Sequence, residues 1–303
     1  MVFRIPGRGV ELADFNGQTL FLLKPWKGEI FSFESSSSGE KPSLPQETSK
    51  ADYAKSFKKY KEAFLSGGLQ KAILSSVIRE DKPQNFDPIG FFFRLCETYP
   101  SAFTYLLYHP KRGTWCGATP EVLLEGKREQ FATVALAGTQ SVVPSQNYEW
   151  GEKEKEEQEL VSQHVRAILE NVGVKELKES EPYTIQAADV VHLKTDFRFK
   201  HNGKVESLLN QLHPTPAVAG LPVSRAIELI DSIEKHDRSL YTGYFGILTE
   251  NETHVFVNLR CMQIGNQELA LYVGGGITER SEMEAEWEET RLKAKTLLNL
   301  LKS

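Results

Sequence analysis

The stretch LYVGGGITERSEMEAEWEETRLKAK, residues 271–295, carries the most structural information in this sequence. It predicts a strand ending in three glycines, the first at Gly274, then a turn and a helix. Ser281 is predicted as the helix N-cap, and Glu284 three residues later completes a capping box. Glycines at the end of a strand let the backbone approach a ligand closely. The stretch therefore predicts either an anion site at a glycine edge or a capped, solvated acidic helix.

Three side chains of this helix share one face. Glu286, Glu289 and Lys293 fall at i, i+3 and i+7. Carboxylates one turn apart suit a hard cation such as Mg²⁺, which takes oxygen ligands. A second pair, Glu154 and Glu157, has the same spacing in EKEKEEQELV. Either pair alone is also consistent with a solvated face, which is the default for Glu154 and Glu157, but two pairs in one chain favour a shared metal site.

The composition indicates an ordinary soluble protein with a sizeable core. The 303 residues are 40% hydrophobic and 25% charged, and the net charge of -5 argues against a nucleic-acid surface. The three cysteines follow no metal or redox spacing. The N-terminus shows no apolar signal region, and no apolar run approaches the roughly 20 residues that a membrane span needs. We expect a cytoplasmic protein that binds neither nucleic acid nor membrane.

Hairpin-connected strands with helices between them predict an α+β fold with large antiparallel sheets. Helices are predicted through the stripe at 53, 57, 60 and 64 and at about 88–100, 150–171, 223–235 and 282–300. Strands are predicted at 19–23, 71–78, 103–108, 114–117, 122–125, 131–136, 192–200, 244–248, 253–264 and 268–273. Asn202-Gly203 is predicted as a hairpin tip, and 35–45 as a flexible connection. We expect one domain over 1–303, with an N-terminal region at 1–48 and a core at 49–303.

Two ionisable residues stand out in apolar surroundings. Lys71 opens the strand QKAILSSVI, either as an edge residue or as a cleft residue whose desolvated amine acts as a general base. Glu121 follows Pro120 in GATPEVLLEG. It is either an exposed turn residue or, if buried, a general acid with a raised pKa.

Two further candidates are weaker. Period-two counting in HVFVNLRCMQI places Arg260 on the face of His254 and Asn258, opposite the apolar Val255. Arg260 is either a surface residue or a bidentate partner of a substrate carboxylate. His192 has no second histidine at metal spacing, so a packed or hydrogen-bonded histidine is the default.

Taken together, these segments resemble the chorismate-utilising enzymes, a family of isochorismate, salicylate, anthranilate and aminodeoxychorismate synthases. The resemblance covers roughly residues 50–300. Its motifs appear in family order: QKAILS, GATPEVLL, ALAGT, EKEKEEQELV, VVHLKT, LHPTPAVAGLP, RSLYTGYFG, VNLRCM and YVGGGITERSEMEAEWEET. The family implies two sheets packed as a sandwich with helices outside and a buried site between the sheets. Many members carry more sheet ahead of the QKAILS strand than this chain does.

The resemblance also implies roles for single residues. Lys71 matches the general base that activates water, and Glu121 matches the general acid beside the departing C4 hydroxyl. Glu157 and Glu289 match Mg²⁺ ligands, supported by Glu154 and Glu286. The matched substrate contacts are Gly138, Thr139, His192, Ala217, Tyr241, Arg260, Gly274, Gly275 and Lys293.

Two positions distinguish among family members. Lys71 is absent from members that use ammonia, so it favours water as nucleophile and no obligatory glutamine amidotransferase subunit. Ala217 stands where salicylate synthases usually have threonine. The resemblance therefore favours a magnesium-dependent isochorismate synthase that acts on chorismate, for menaquinone or siderophore synthesis. The alternatives are a salicylate synthase and a non-catalytic chorismate- or cation-binding relative.

Overall fold

The computed structural model of the chain describes residues 2–4, 10–12, 20–24, 43–109, 112–142, 148–187, 190–249 and 251–301. Its helices are α1 Lys50–Leu65, α2 Pro88–Thr98, α3 Glu152–Val172, α4 Val205–Leu212, α5 Val223–Ile233 and α6 Met283–Leu301. Its strands are β1 Val2–Arg4, β2 Val10–Leu12, β3 Leu20–Lys24, β4 Lys71–Asp81, β5 Phe103–His109, β6 Gly113–Thr119, β7 Val122–Lys127, β8 Gln130–Ser141, β9 Lys175–Glu179, β10 Tyr183–Ala187, β11 Val190–Lys200, β12 Gly220–Leu221, β13 Tyr244–Leu248, β14 Glu252–Val257, β15 Cys261–Ile264 and β16 Glu268–Ile277.

The strands form two sheets. The first sheet has the order β12-β4-β16-β15-β6-β5-β1-β2. The second has the order β10-β11-β8-β7-β14-β13-β3, with β9 beside β11. Each pairing between described strands is antiparallel. This confirms the predicted α+β class with two antiparallel sheets.

Apolar side chains define the layers of the fold. Phe103 of the first sheet stacks on Phe256 of the second at 4.8 Å between ring centroids, inside a cluster that joins the facing sides of both sheets. Phe91 of α2 and Leu297 of α6 pack on the outer side of the first sheet. Leu169 of α3 packs against the second sheet. Helices therefore lie outside the paired sheets, because each sheet has a second apolar face to cover.

The site depends on how β4 pairs with β16. Their register runs from Ala72 opposite Ile277 to Asp81 opposite Glu268. Lys71, the first residue of β4, therefore lies beside the glycine end of β16. The sequence patterns at 71–78 and 268–273 predicted both strands but underestimated their length.

Two predictions about chain direction are wrong. Asn202-Gly203 is not a hairpin tip, because the chain leaves β11 and enters α4. The predicted strand at 253–264 is two strands, β14 in the second sheet and β15 in the first. The chain crosses between the sheets at 258–260, where Arg260 has a positive φ of 46°. That backbone turn breaks the period-two alternation, so the predicted face of Arg260 is also wrong.

The predicted helix start at Ser281 is wrong as well. Helix α6 begins at Met283, and the Ser281 hydroxyl accepts a hydrogen bond from the Thr278 backbone N–H at 3.1 Å. The serine thus closes the turn after β16. Most of the predicted flexible connection at 35–45 lies outside the described residues. No helix in the described part of the chain is long and apolar enough to span a membrane.

Candidate active site

A cavity of about 940 Å³ lies where α3 and α6 meet the two sheets. Its lining includes fourteen of the residues predicted from the sequence. They are Lys71, Glu121, Gly138, Glu154, Glu157, His192, Ala217, Tyr241, Arg260, Gly274, Gly275, Glu286, Glu289 and Lys293. Thr139 lies in β8 after Gly138, and its side chain is outside the described residues. The fold therefore brings these distant motifs to one place.

Lys71 is a cleft residue and not a surface-edge residue. It is 9% exposed, and its Nζ donates a hydrogen bond to Glu157 Oε1 at 2.6 Å. A Cβ on Gly276 would lie 2.6 Å from Lys71 Cε, so the absence of that Cβ leaves room for the lysine. The ion pair joins the start of β4 to α3. A buried ammonium held by a carboxylate is the expected arrangement, because an unpaired buried charge is costly.

Glu121 lies in the short connection between β6 and β7 and lines the cavity. Burial raises its pKa to about 7, although the charges of Lys71, Arg260 and Lys293 lower it. Desolvation outweighs those three charges because it acts directly on the carboxylate. Glu121 is therefore partly protonated near neutral pH, which suits a group that donates a proton and takes it back.

Helix α6 contributes a second lysine–carboxylate pair. Lys293 Nζ lies 2.6 Å from Glu289 Oε1 and donates to the Gly274 backbone carbonyl at 2.9 Å. Burial opposes ionisation of Glu289, but the charge and hydrogen bond of Lys293, with the charges of Lys71 and Arg260, hold its pKa below the usual range. Glu289 is therefore a carboxylate at neutral pH, and Lys293 is tied to the glycine edge of β16.

The donor set fits a hard divalent cation by its chemistry. Glu154 and Glu157 of α3 line the same cavity as Glu286 and Glu289 of α6, and carboxylate oxygens are the ligands that Mg²⁺ takes. A Cβ on Gly275 would lie 3.1 Å from Glu286 Oε2, so this glycine gives the carboxylate its space. Among the described residues no three acidic, histidine or cysteine side chains converge on one point. Two of the four carboxylates are paired with lysines instead.

Tyr241 and Arg260 face the cavity from two connections. A Cβ on Gly274 would lie 2.9 Å from the Tyr241 hydroxyl, so the first glycine of β16 lets this tyrosine approach the strand. Burial lowers the pKa of Arg260, while its electrostatic interactions with Tyr241, Glu289 and Glu121 act in the opposite direction. A guanidinium and a phenol beside a glycine edge form a surface that can bind a carboxylate.

His192 and Ala217 complete the lining. The His192 Nδ1 lies 2.9 Å from the Gly138 carbonyl oxygen, which can only accept a hydrogen bond, so Nδ1 carries the proton. Burial is the main reason why the pKa of His192 is lowered, and the histidine is neutral. The default prediction of a hydrogen-bonded histidine therefore agrees with this contact.

Residues 27–302 match the model of the family described as chorismate binding enzyme. The chain belongs to the chorismate-binding enzyme family. This finding confirms the resemblance seen in the sequence motifs, and the match extends beyond 50–300 on both sides.

Several chorismate-binding enzymes are similar to this chain. The isochorismate synthase EntC of Escherichia coli K12 is 30% identical over 243 residues, which are 77% of this chain and 62% of that protein. The structure of DhbC from Bacillus anthracis has a TM-score of 0.81 at 26% identity, covering 94% of this chain and 84% of the other. MenF, the menaquinone-specific isochorismate synthase from Escherichia coli, has a TM-score of 0.78 at 25% identity, covering 88% and 66%. The chain thus spans about three fifths of the length of EntC.

The sequence did not predict a buried ion pair beside the site of this chorismate-binding enzyme. Arg238 is 1% exposed and lies 2.7 Å from Glu234. It also donates to the backbone carbonyls of Ile73 at 2.8 Å and Val218 at 2.9 Å, both of which line the cavity. Burial opposes the charge of Glu234, but Arg238 holds its pKa below the usual range. Local pattern gives no signal for this pair, because α5 ends at Ile233 and the i, i+4 rule for helices does not apply to 234–238.

Proposed function

We propose that this chain is an isochorismate synthase, which interconverts chorismate and isochorismate. The observation that carries the proposal is that Lys71 and Glu121, a candidate base and a candidate acid, line one cavity. Relatives named isochorismate synthase support it. A pure binding protein has no need of such a pair.

In the forward reaction, the Lys71 amine accepts a proton from a water molecule as the water oxygen bonds to ring carbon C2. The ring double bonds shift, and the C4–oxygen bond breaks. Glu121 donates its proton to the departing hydroxyl, which leaves as water. Both partners are needed, because neutral water is a poor nucleophile and hydroxide is a poor leaving group.

The ion pair of Lys71 suits the reverse reaction, and the forward reaction requires Lys71 to release that proton first, while Glu121 can serve in either direction. Lys71 is paired with Glu157 at 2.6 Å as an ammonium, and the pKa of Glu121 is about 7. A Lys71 ammonium and a Glu121 carboxylate are the acid and base of the reverse reaction. The amine and the protonated carboxyl are those of the forward reaction. Substrate and product are isomers of similar stability, so the reaction is reversible.

The residues proposed to hold Mg²⁺ are Glu157 and Glu289, supported by Glu154 and Glu286. The bound cation would neutralise the ring carboxylate and fix the ring between acid and base. Gly138, Thr139 and Lys293 would contact that same carboxylate. Tyr241, Arg260 and the backbone of Gly274 and Gly275 would bind the enolpyruvyl carboxylate. His192 and Ala217 would line the pocket near the ring.

The remaining proposals concern the protein as a whole, and the absence of an amidotransferase follows from water as the nucleophile. The described elements would form one catalytic domain, which works in the cytoplasm without a glutamine amidotransferase subunit. Incubation of the purified chain with chorismate and Mg²⁺, followed by product separation, tests the reaction. An isomer of unchanged mass is expected. Salicylate with pyruvate would overturn the assignment in favour of a salicylate synthase, and thermal stabilisation by chorismate without turnover would indicate a binding protein.

A further inference from the structure

The connection that carries Arg260 into the cavity has an unusual backbone. It spans only residues 258–260, between β14 in the second sheet and β15 in the first. Arg260 has φ +46°, and Thr242, next to the cavity residue Tyr241, has φ +61°. Residues with side chains seldom adopt this left-handed region, and it costs roughly 1–3 kcal/mol where they do. Surrounding contacts must therefore hold both residues in place.

Asn258 supplies those contacts on one side. It is fully buried, and its backbone N–H donates to the Gly243 carbonyl at 2.7 Å while its carbonyl accepts from the Thr242 N–H at 2.9 Å. Its Nδ2 donates to the Leu240 carbonyl at 2.8 Å, and its Oδ1 accepts from the Tyr105 hydroxyl at 2.8 Å. Three of these four bonds reach residues 240–243, the connection that bears Tyr241. Asn258 therefore joins the two connections that bear Tyr241 and Arg260.

Gly117 of β6 supports Arg260 from the other side. A Cβ on Gly117 would lie 2.9 Å from the Arg260 carbonyl oxygen and 3.0 Å from Cys261 Cβ. The same carbonyl accepts a hydrogen bond from the Ala118 N–H at 3.1 Å. Because the obstructing oxygen belongs to the backbone, only a glycine here allows the turn that Arg260 makes.

We propose that Asn258 and Gly117 are positioning residues, which hold the Arg260 guanidinium and the Tyr241 hydroxyl at a fixed spacing to bind one carboxylate of a small dianionic ligand. The inference rests on the proposed function, because chorismate is the ligand that would carry this carboxylate. A carboxylate bound by two side chains from separate connections requires both to be placed before binding. A displacement of either group by about 1 Å would remove a large part of the binding affinity that their fixed spacing provides.

A double-mutant cycle tests the positioning role. Asn258→Ala and Arg260→Ala are made singly and together in the full chain carrying Lys71→Ala, which should remove most turnover. Calorimetry then measures chorismate binding in Mg²⁺. We expect Asn258→Ala to weaken binding about tenfold when Arg260 is present and clearly less when it is absent, because only the effect through Tyr241 then remains and coupled residues are not additive. Its loss of thermal stability should be the same in both chains.

An equal weakening in both chains would overturn the inference, since a purely structural residue acts without regard to Arg260. So would unchanged binding in Asn258→Ala. Thr133→Ala is the control, because Thr133 is a buried donor to the Leu123 carbonyl at 2.7 Å and does not line the cavity. This control should lower stability and leave binding unchanged.

Gly117→Ala provides a second route if Asn258→Ala fails to fold. Its Cβ would meet the Arg260 carbonyl at 2.9 Å and Tyr105 Cε1 at 3.0 Å, and the Tyr105 hydroxyl donates to Asn258. Its effect on binding should also be smaller when Arg260 is alanine. The proposed reaction is tested separately, in the chain that retains Lys71. Chorismate binding without turnover in that chain would overturn the proposed reaction. The double-mutant cycle would then still test the positioning role. No binding in any variant would overturn both.

Discussion

Lys71 Nζ and Glu157 Oε1 lie 2.6 Å apart, so the proposed base is paired with a proposed magnesium ligand. This pair connects β4 of the first sheet to α3, which packs on the second. Replacing Lys71 should therefore change the turnover rate, and replacing Glu157 should change the affinity for Mg²⁺.

Replacing Lys71 with alanine should preserve chorismate binding and remove most turnover. A positioned general base contributes roughly 10²–10⁴-fold to the rate, so kcat should fall within that range. Calorimetry and initial rates measure the two effects. Lys155→Ala, which removes an exposed lysine of the same helix as Glu157, is the control. Wild-type kcat in Lys71→Ala would exclude this lysine as the base.

The pH dependence of the forward rate should follow Glu121. Its pKa is about 7 and the protonated form is the proposed acid, so kcat should fall as the pH rises through about 7. The reverse reaction needs the carboxylate and should gain rate over the same range. Rate profiles in both directions, compared with those of Glu121→Gln, measure this. Identical profiles in the wild type and the variant would contradict the role of Glu121.

The same group predicts a change in stability. Because burial raises the folded-state pKa of Glu121, the folded protein loses stability as the pH rises from about 4.5 through about 7. The loss corresponds to about 3 kcal/mol at most. Denaturant unfolding at pH 4.5 and pH 8 should therefore show Glu121→Gln gaining on the wild type at the higher pH. A constant difference between the two proteins would show that the carboxyl is not desolvated.

Glu157→Gln should weaken Mg²⁺ binding by at least about tenfold. Removing even a residue that only orients a metal ligand typically lowers metal affinity by about that factor. Glu156→Gln is a matched control, because this exposed carboxylate is the preceding residue of α3. Calorimetric titration with Mg²⁺ in the presence of chorismate separates the two. Equal weakening in both variants would indicate a diffuse effect of charge and not a ligand.

The buried ion pair should matter for stability. Glu234→Gln removes the carboxylate that faces the buried Arg238 charge, and breaking a buried ion pair costs about 3–5 kcal/mol of unfolding free energy. Glu179→Gln breaks the more exposed pair with Arg166, at 2.7 Å, and should cost less than about 1 kcal/mol. Chemical denaturation measures both. Similar losses of unfolding free energy in the two variants would contradict the larger contribution expected of the buried Arg238–Glu234 pair.

The sequence predicted most of the elements and the grouping of the site residues. The helical spacing of Glu286, Glu289 and Lys293 and the glycine run before them are local patterns, and local geometry determines which faces they share. The same holds for Glu154 and Glu157 on α3. The roles of these residues came from the order of motifs and stay predictions.

The errors lie where long-range contacts override local pattern. The residues 253–264 read as one strand, but Asn258 is bonded to the connection at 240–243, and this draws the chain into the other sheet. Arg260 consequently faces the cavity through a left-handed backbone that period-two counting cannot anticipate. Neither a single-residue turn nor its distant hydrogen-bond partners leave a periodic signal.

The reaction with chorismate and Mg²⁺ in oxygen-18-labelled water, followed by mass spectrometry of the product, tests directly whether water is the nucleophile. If Lys71 activates a water molecule that adds at C2 while the C4 hydroxyl leaves, the product is isochorismate with one labelled oxygen, at C2. Unlabelled isochorismate, or salicylate with pyruvate as the main products, would contradict the account.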